Sequence, residues 1–138
     1  MKNPPQRVIE VGCAIIRRGP QLLIAQRKPE DHLGGYWEFP GGKKRRQESL
    51  EECLIREAQE ELGIAILPQR FFRKIDHPYP ERILSLHFYL CAWVSGDPQR
   101  IECHDFQWIF PEALRDFQFP PADDEIIAEL IQNKKLYF

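Results

Sequence analysis

Between positions 48 and 61 the chain carries Glu48, Arg56, Glu57, Glu60 and Glu61. Residues 57, 60 and 61 are related by i, i+3 and i+4, so on a helix their carboxylates share one face. Three like charges repel there by a few tenths of a kcal/mol per pair. A hard divalent cation reverses that cost. Mg²⁺ takes carboxylate oxygens, keeps several waters and bridges to phosphates. Arg56 can pair with one of these carboxylates and fix its rotamer, and Glu48 lies within reach at the start of the same segment. Pro40-Gly41-Gly42 precedes it by a short loop, where glycines let the backbone approach a ligand and carbonyls can join a metal shell. On composition alone, the competing reading is a solvated acidic helix face.

The elements that must position these groups are legible in the chain. Residues 49–62 form the clearest helix: Leu50, Leu54, Ala58 and Leu62 recur every fourth residue as an apolar stripe. Ser49 is its N-cap, with Glu52 completing a capping box, and Gly63 its C-terminal cap. Residues 8–17 and 21–27 read as a hairpin around Gly19-Pro20. Residues 29–36 are a loop, and 37–39 a short strand ending at Pro40. Strands are expected over 64–67, 71–75, 83–94 and 106–110, with a turn at Gly96-Asp97-Pro98. A short helix over 111–116 starts with a proline, and a last helix covers 123–132. Leu136-Tyr137-Phe138 reads as a docking end. Strands that outnumber helices, with one helix early, imply an α/β mixed sheet covered by helices on two sides.

The totals restrict the alternatives. The 138 residues, 43% hydrophobic and 29% charged, read as a single domain over 1–138. A net charge of −2 supplies no global basic field, which argues against duplex DNA as a partner. Met1 to Arg7 is polar and unlike a signal peptide, and no apolar run approaches a membrane span. Cys13, Cys53, Cys91 and Cys103 have no metal-ligand spacing and read as reduced thiols, so a cytoplasmic location is expected.

The pattern Gly42, five residues, Glu48, seven residues, then Arg56-Glu57-Ala58-Gln59-Glu60-Glu61-Leu62-Gly63-Ile64 resembles the Nudix box. Ala58 alone departs, where the family prefers a bulkier aliphatic, and that is a packing position. Trp37-Glu38-Phe39-Pro40-Gly41-Gly42-Lys43 looks like the entry segment of MutT-type Nudix enzymes, and Phe119-Pro120-Pro121-Ala122-Asp123 like their base-recognition segment. Arg27, His32, Arg82, Gly96-Asp97-Pro98 and Trp108 also sit at the expected intervals.

The resemblance implies a Nudix α/β/α sandwich with a mixed sheet between helices, hydrolysing a nucleoside triphosphate to the monophosphate and pyrophosphate. It implies Mg²⁺ as the cofactor, with Mn²⁺ as an alternative. The metal ligands would be Glu57, Glu60, Glu61 and the Gly41 carbonyl. Glu48 and Arg56 would orient them. Glu102, six residues before Trp108, would be a further ligand or general base. Arg27 and Arg82 are candidates for triphosphate contacts, and Phe39 and Tyr79 for stacking on the base. His77, His87 and His104 are read as structural or surface groups, and His32 is given no role. A monomer or weak dimer is expected.

Two departures bear on the substrate. MutT enzymes carry Asn where this chain has Asp123. Asn both donates and accepts, which suits 8-oxoguanine, whereas an ionised Asp only accepts and prefers amino donors such as that of cytosine. Burial would raise the carboxyl pKa and restore a donor. The second departure is Lys43-Lys44-Arg45-Arg46-Gln47, where relatives carry an acidic residue and a glycine turn. It reads as a solvated loop or as extra phosphate contact. The expected activity is therefore 8-oxo-(d)GTP pyrophosphohydrolysis, a nucleotide-pool sanitation role. The alternatives are a (d)CTP or 5-methyl-dCTP pyrophosphohydrolase, then an RNA 5′-pyrophosphohydrolase, then a non-catalytic nucleotide-binding module.

Overall fold

A computed structural model of the chain describes residues 7–138. The polar N-terminal reading over residues 1–6 lies outside the described residues. Seven strands form one sheet: β1 (Arg7–Arg18), β2 (Gln21–Gln26), β3 (Trp37–Glu38), β4 (Gly41–Lys43), β5 (Ala65–Pro78), β6 (Arg82–Ser95) and β7 (Asp105–Ile109). The helices are α1 (Leu50–Leu62), α2 (Asp124–Gln132) and the short α3 (Lys134–Tyr137).

The sheet order is β3-β2-β1-β6-β5, with β4 on β1 and β7 on β2. β1 and β6 run parallel from Arg7↔Arg82 to Arg17↔Ala92, and every other pairing is antiparallel. The expected mixed sheet is therefore present. Side chains alternate across a strand. In β1, Ile15 faces one layer while Ala14 and Ile16 face the other. α1 covers the second layer, setting Leu54, Ala58 and Leu62 against Ala14, Ile16, Leu23 and Ala25. α2 covers the first, setting Ile126, Ile127 and Leu130 against Ile15, Leu22 and Ile24. Each fully buried Leu or Ile stabilises the sandwich by roughly 1.5–3 kcal/mol.

α1 is capped at both ends as its sequence requires. Ser49 Oγ accepts from Glu52 N–H at 3.1 Å while Glu52 Oε1 accepts from Ser49 N–H at 3.0 Å. Gly63 closes the helix in the left-handed region at φ 69°.

Other boundaries differ from expectation. The strands expected over 64–67 and 71–75 are one strand, β5, with register shifts at Pro68/Arg70 and Phe71/Arg73. β5 lies at the sheet edge, where a bulge tolerates Pro68. β4 was not expected, because three residues of Gly-Gly-Lys have no strand propensity and are held only by pairing with β1. Pro111–Asp116 is a 3₁₀ helix, and α2 follows a 3₁₀ turn over Pro121–Asp123. At the C-terminus Tyr137 packs edge-to-face on Phe72 and donates to Glu129, while Leu136 is exposed.

Candidate active site

β4 brings Gly41 and Gly42 against α1. Gly42 pairs with Gly12 of β1, and Gly41 with Cys13. A Cβ on Gly41 would stand 1.8 Å from the Gly12 carbonyl oxygen. A Cβ on Gly42 would stand 2.6 Å from the Glu57 carboxylate. Gly41 is therefore required by the close approach of β4 to β1 and Gly42 by the approach of β4 to α1, which places the Gly42 backbone beside the Glu57 carboxylate.

Arg56 is the hub of the cluster. Its Nε and Nη2 donate to the two Glu48 oxygens at 2.9 and 2.6 Å. Its Nη1 donates to Glu57 at 2.8 Å and to Glu60 at 3.1 Å. Nη2 also donates to the Lys43 carbonyl at 3.2 Å. The side chains of Arg56, Glu48 and Glu57 are only 17%, 13% and 14% exposed. The bidentate arginine holds the Glu48 carboxyl well below the usual range, at about 2.

Glu61 lies at the opposite electrostatic extreme. Burial, then the charges of Glu38, Glu57 and Glu102, push its carboxyl up to about 10. Glu102 reaches this region because its loop satisfies the orphan carbonyls at the end of α1. Gln99 N–H donates to Leu62 O at 2.9 Å and Glu102 N–H to Glu61 O at 3.1 Å. Among the described residues no three acidic, histidine or cysteine side chains stand together in ligand geometry. Glu57 and Glu60 both hydrogen-bond Arg56 instead. The donor types nevertheless fit a hard cation: Glu57, Glu60 and Glu61 lie within two turns of one helix beside the Gly41–Gly42 backbone, all of them oxygen donors.

The remaining candidates fall in three places. Phe119 and Asp123 are brought to β3 by the segment before α2, where Trp37 N–H donates to Gln118 O at 2.8 Å. Phe119 packs 5.2 Å from Phe39, whose ring also meets Phe88 and is 4% exposed. Asp123 is buried, and its side chain does not cap α2. Its own backbone is helical at φ −90°, ψ −3°, which turns the carboxyl away from the helix amides that an extended N-cap would reach. Burial, then Glu38, raise its pKa from 3.8 to about 7.

Arg27 is not aimed at an open site. Its Nη1 donates to Glu38 at 3.0 Å and its Nε to the His32 carbonyl at 2.6 Å. The β2–β3 register, Ala25↔Glu38, brings that carboxylate alongside. Tyr79 and Arg82 stand together at the β5–β6 turn, with the guanidinium 5.5 Å from the ring centre. His87 hydrogen-bonds Ser85 at 3.2 Å.

Glu38 was missed by the reading of the sequence. It couples to Glu61, Asp123 and Arg27 at once. Its signal was a charge between two buried aromatics, Trp37 and Phe39, in a short strand.

The fold is a mixed sheet between helices, with an arginine-organised carboxylate group beside a glycine strand. The NUDIX domain model matches residues 11–129. The 8-oxo-dGTP diphosphatase of Escherichia coli K12 is 34% identical over 125 residues, covering 88% of this chain and 95% of that protein. The CTP pyrophosphohydrolase of the same strain is 35% identical over 117 residues, covering 85% and 87%. The solution structure of the E. coli ORF135 protein superposes with a TM-score of 0.82 at 30% identity, covering 97% of each chain. The chain belongs to the Nudix family, and within it to the MutT-type hydrolases that act on phosphorus-containing acid anhydrides. Nudix hydrolases generally use divalent metals. No helix among the described residues is long and apolar enough to cross a membrane.

Proposed function

We propose that this chain hydrolyses 8-oxo-(d)GTP to the monophosphate and pyrophosphate with Mg²⁺, acting as one Nudix domain. The observation that carries the reading is the Arg56-held set of Glu48, Glu57 and Glu60 on and beside α1, packed against the Gly42 backbone. Relatives named 8-oxo-dGTP diphosphatase, at 34–39% identity, support the substrate.

Glu57, Glu60, Glu61 and the Gly41 carbonyl would hold the cation, with Glu102 completing the set. When bound, Mg²⁺ neutralises phosphate oxygens and lowers the pKa of water. Glu102 stands on a loop fixed to the end of α1 and takes the proton of the attacking water. Arg56 and Glu48 keep Glu57 and Glu60 oriented. Phe119, packed on the buried Phe39, would flank the base, and Asp123 would meet its edge.

A second reading, (d)CTP hydrolysis, is favoured by Asp123 itself. Its carboxyl is buried, uncommitted to the helix and able to accept from an exocyclic amino group. The CTP pyrophosphohydrolase relative supports it.

The deciding experiment offers 8-oxo-dGTP, dGTP, dCTP, 5-methyl-dCTP and triphosphorylated RNA with Mg²⁺ and identifies the products. Pyrophosphate and 8-oxo-dGMP formed at the highest kcat/KM support the first reading. A preference for dCTP replaces it with the second. A Glu61→Gln variant with full activity would refute the cation assignment.

A further inference from the structure

The loop between β4 and α1 is not a free solvated run of charge. Arg56 Nη2 holds the Lys43 carbonyl at 3.2 Å, and Arg45 N–H donates to Glu48 Oε1 at 2.8 Å. Glu48 N–H returns to the Arg45 carbonyl at 3.3 Å, and Lys44 pairs with Glu10 at 3.8 Å. The Arg56–Glu48 pair that organises the carboxylates therefore also fixes this loop. Lys43, Arg45 and Arg46 remain as the loop's exposed cations, and two of them share one hollow. Arg45 and Arg46, with Gln47 and Glu48, line an open concavity of about 270 Å³. Arg46 makes no ion pair or side-chain hydrogen bond among the described residues. Arg45 reaches only Glu60, at 3.4 Å, with its side chain 65% exposed. An exposed pair of that kind is worth at most about 1 kcal/mol, so Arg45 is available to a better anion.

The concavity lies at one end of a continuous line of interacting groups. Hydrogen bonds run from Glu57 through Arg56 to Glu60 and Glu48, and on to Arg45. Phosphates lying across Glu57 and Glu60 would have Arg45, which reaches Glu60, and its neighbour Arg46 beside them. Two guanidinium forks suit the oxygens of a terminal diphosphate.

We propose that Arg45 and Arg46 form the subsite for the terminal phosphates of the substrate, and so for the pyrophosphate product. The inference rests on the reading of the chain as a triphosphate hydrolase. It makes the loop a determinant of triphosphate over shorter nucleotides.

The test compares wild type with Arg45→Gln/Arg46→Gln, with Arg45→Lys/Arg46→Lys, and with Arg46→Gln alone. Binding of inorganic pyrophosphate and of the nucleoside monophosphate is measured by calorimetry in Mg²⁺, beside steady-state kinetics. Loss of both forks should weaken pyrophosphate binding and raise KM about tenfold. Monophosphate binding should stay within about twofold, since that product does not reach the loop. The lysine pair should recover part of the loss, because charge survives without the fork. Arg46→Gln alone should show the smaller loss, and it serves if the double variant does not fold. Unchanged pyrophosphate binding overturns the subsite, as does an equal loss for the monophosphate. A wild type that turns over no triphosphate refutes the hydrolase reading, while its pyrophosphate binding still decides the subsite.

Discussion

Arg56 grips Glu48 with the Nε–Nη2 edge of its guanidinium, at 2.9 and 2.6 Å, and gives its remaining N–H groups to Glu57, Glu60 and the Lys43 carbonyl. One guanidinium thus aligns the carboxylates and the loop together. Replacing it by lysine keeps the charge and loses the geometry. Arg56→Lys should lower kcat about 10–100-fold and weaken the apparent Mg²⁺ affinity. A Mg²⁺ titration of activity checks this, and a variant with wild-type affinity would sink the positioning role.

Gly42 offers a sharper steric test. A methyl there would stand 2.6 Å from the Glu57 carboxylate. The far end of a glutamate can move, so the fold should survive. Gly42→Ala should retain its thermal midpoint within a few degrees while kcat/KM falls at least about tenfold, because reacting geometry is sensitive to small displacements. Gly41→Ala meets backbone instead, 1.8 Å from the Gly12 oxygen, and should lower the midpoint far more.

Asp123 supplies a pH dependence with a definite sign. Its carboxyl titrates at about 7 in the folded chain and near 3.8 when unfolded. The folded state therefore binds the proton more tightly, and its stability falls as pH rises from about 4 to about 7. Each pH unit in that window costs up to about 1.4 kcal/mol. Asp123→Asn should remove this slope and be the more stable protein at pH 8, as read by thermal denaturation across pH. Below pH 7 the neutral acid can donate, so the preference for 8-oxo-dGTP over dCTP should rise as pH falls. The Asn variant should show a flat ratio.

Glu102 is exposed, and its backbone fastens its loop to α1. Glu102→Gln should leave the melting midpoint unchanged and lower kcat by about 10²–10⁴-fold, the range of a lost general base. Unaltered kcat would return Glu102 to an ordinary loop residue.

The helix that carries Glu57, Glu60 and Glu61 was legible because its signals are local. Leu54, Ala58 and Leu62 set the period, Ser49 with Glu52 starts the helix, and Gly63 stops it. The i, i+3, i+4 spacing put the three carboxylates on one face before any partner was known. The central hairpin was legible for the same reason, since Ile15, Ile16 and 22–25 are apolar on both faces of buried strands. β4 was not, since Gly41–Lys43 takes its conformation from β1 alone. Pro68 split β5 on paper, while an edge bulge absorbs it in space.

Taken alone, the residues determined the family chemistry: a carboxylate helix, a glycine segment before it, and an arginine placed to orient the carboxylates. Tertiary structure decided what each group faces. It turned Arg27 onto Glu38, carried Glu102 to the end of α1, and buried Asp123 where burial and Glu38 shift its titration. It also clamped a basic loop that composition could not distinguish from solvated charge. The division has a physical cause. Helix period and capping act over a few residues and are written locally, whereas desolvation and charge coupling depend on distant segments, such as Glu38 and Asp123, that only the packed sheet brings together.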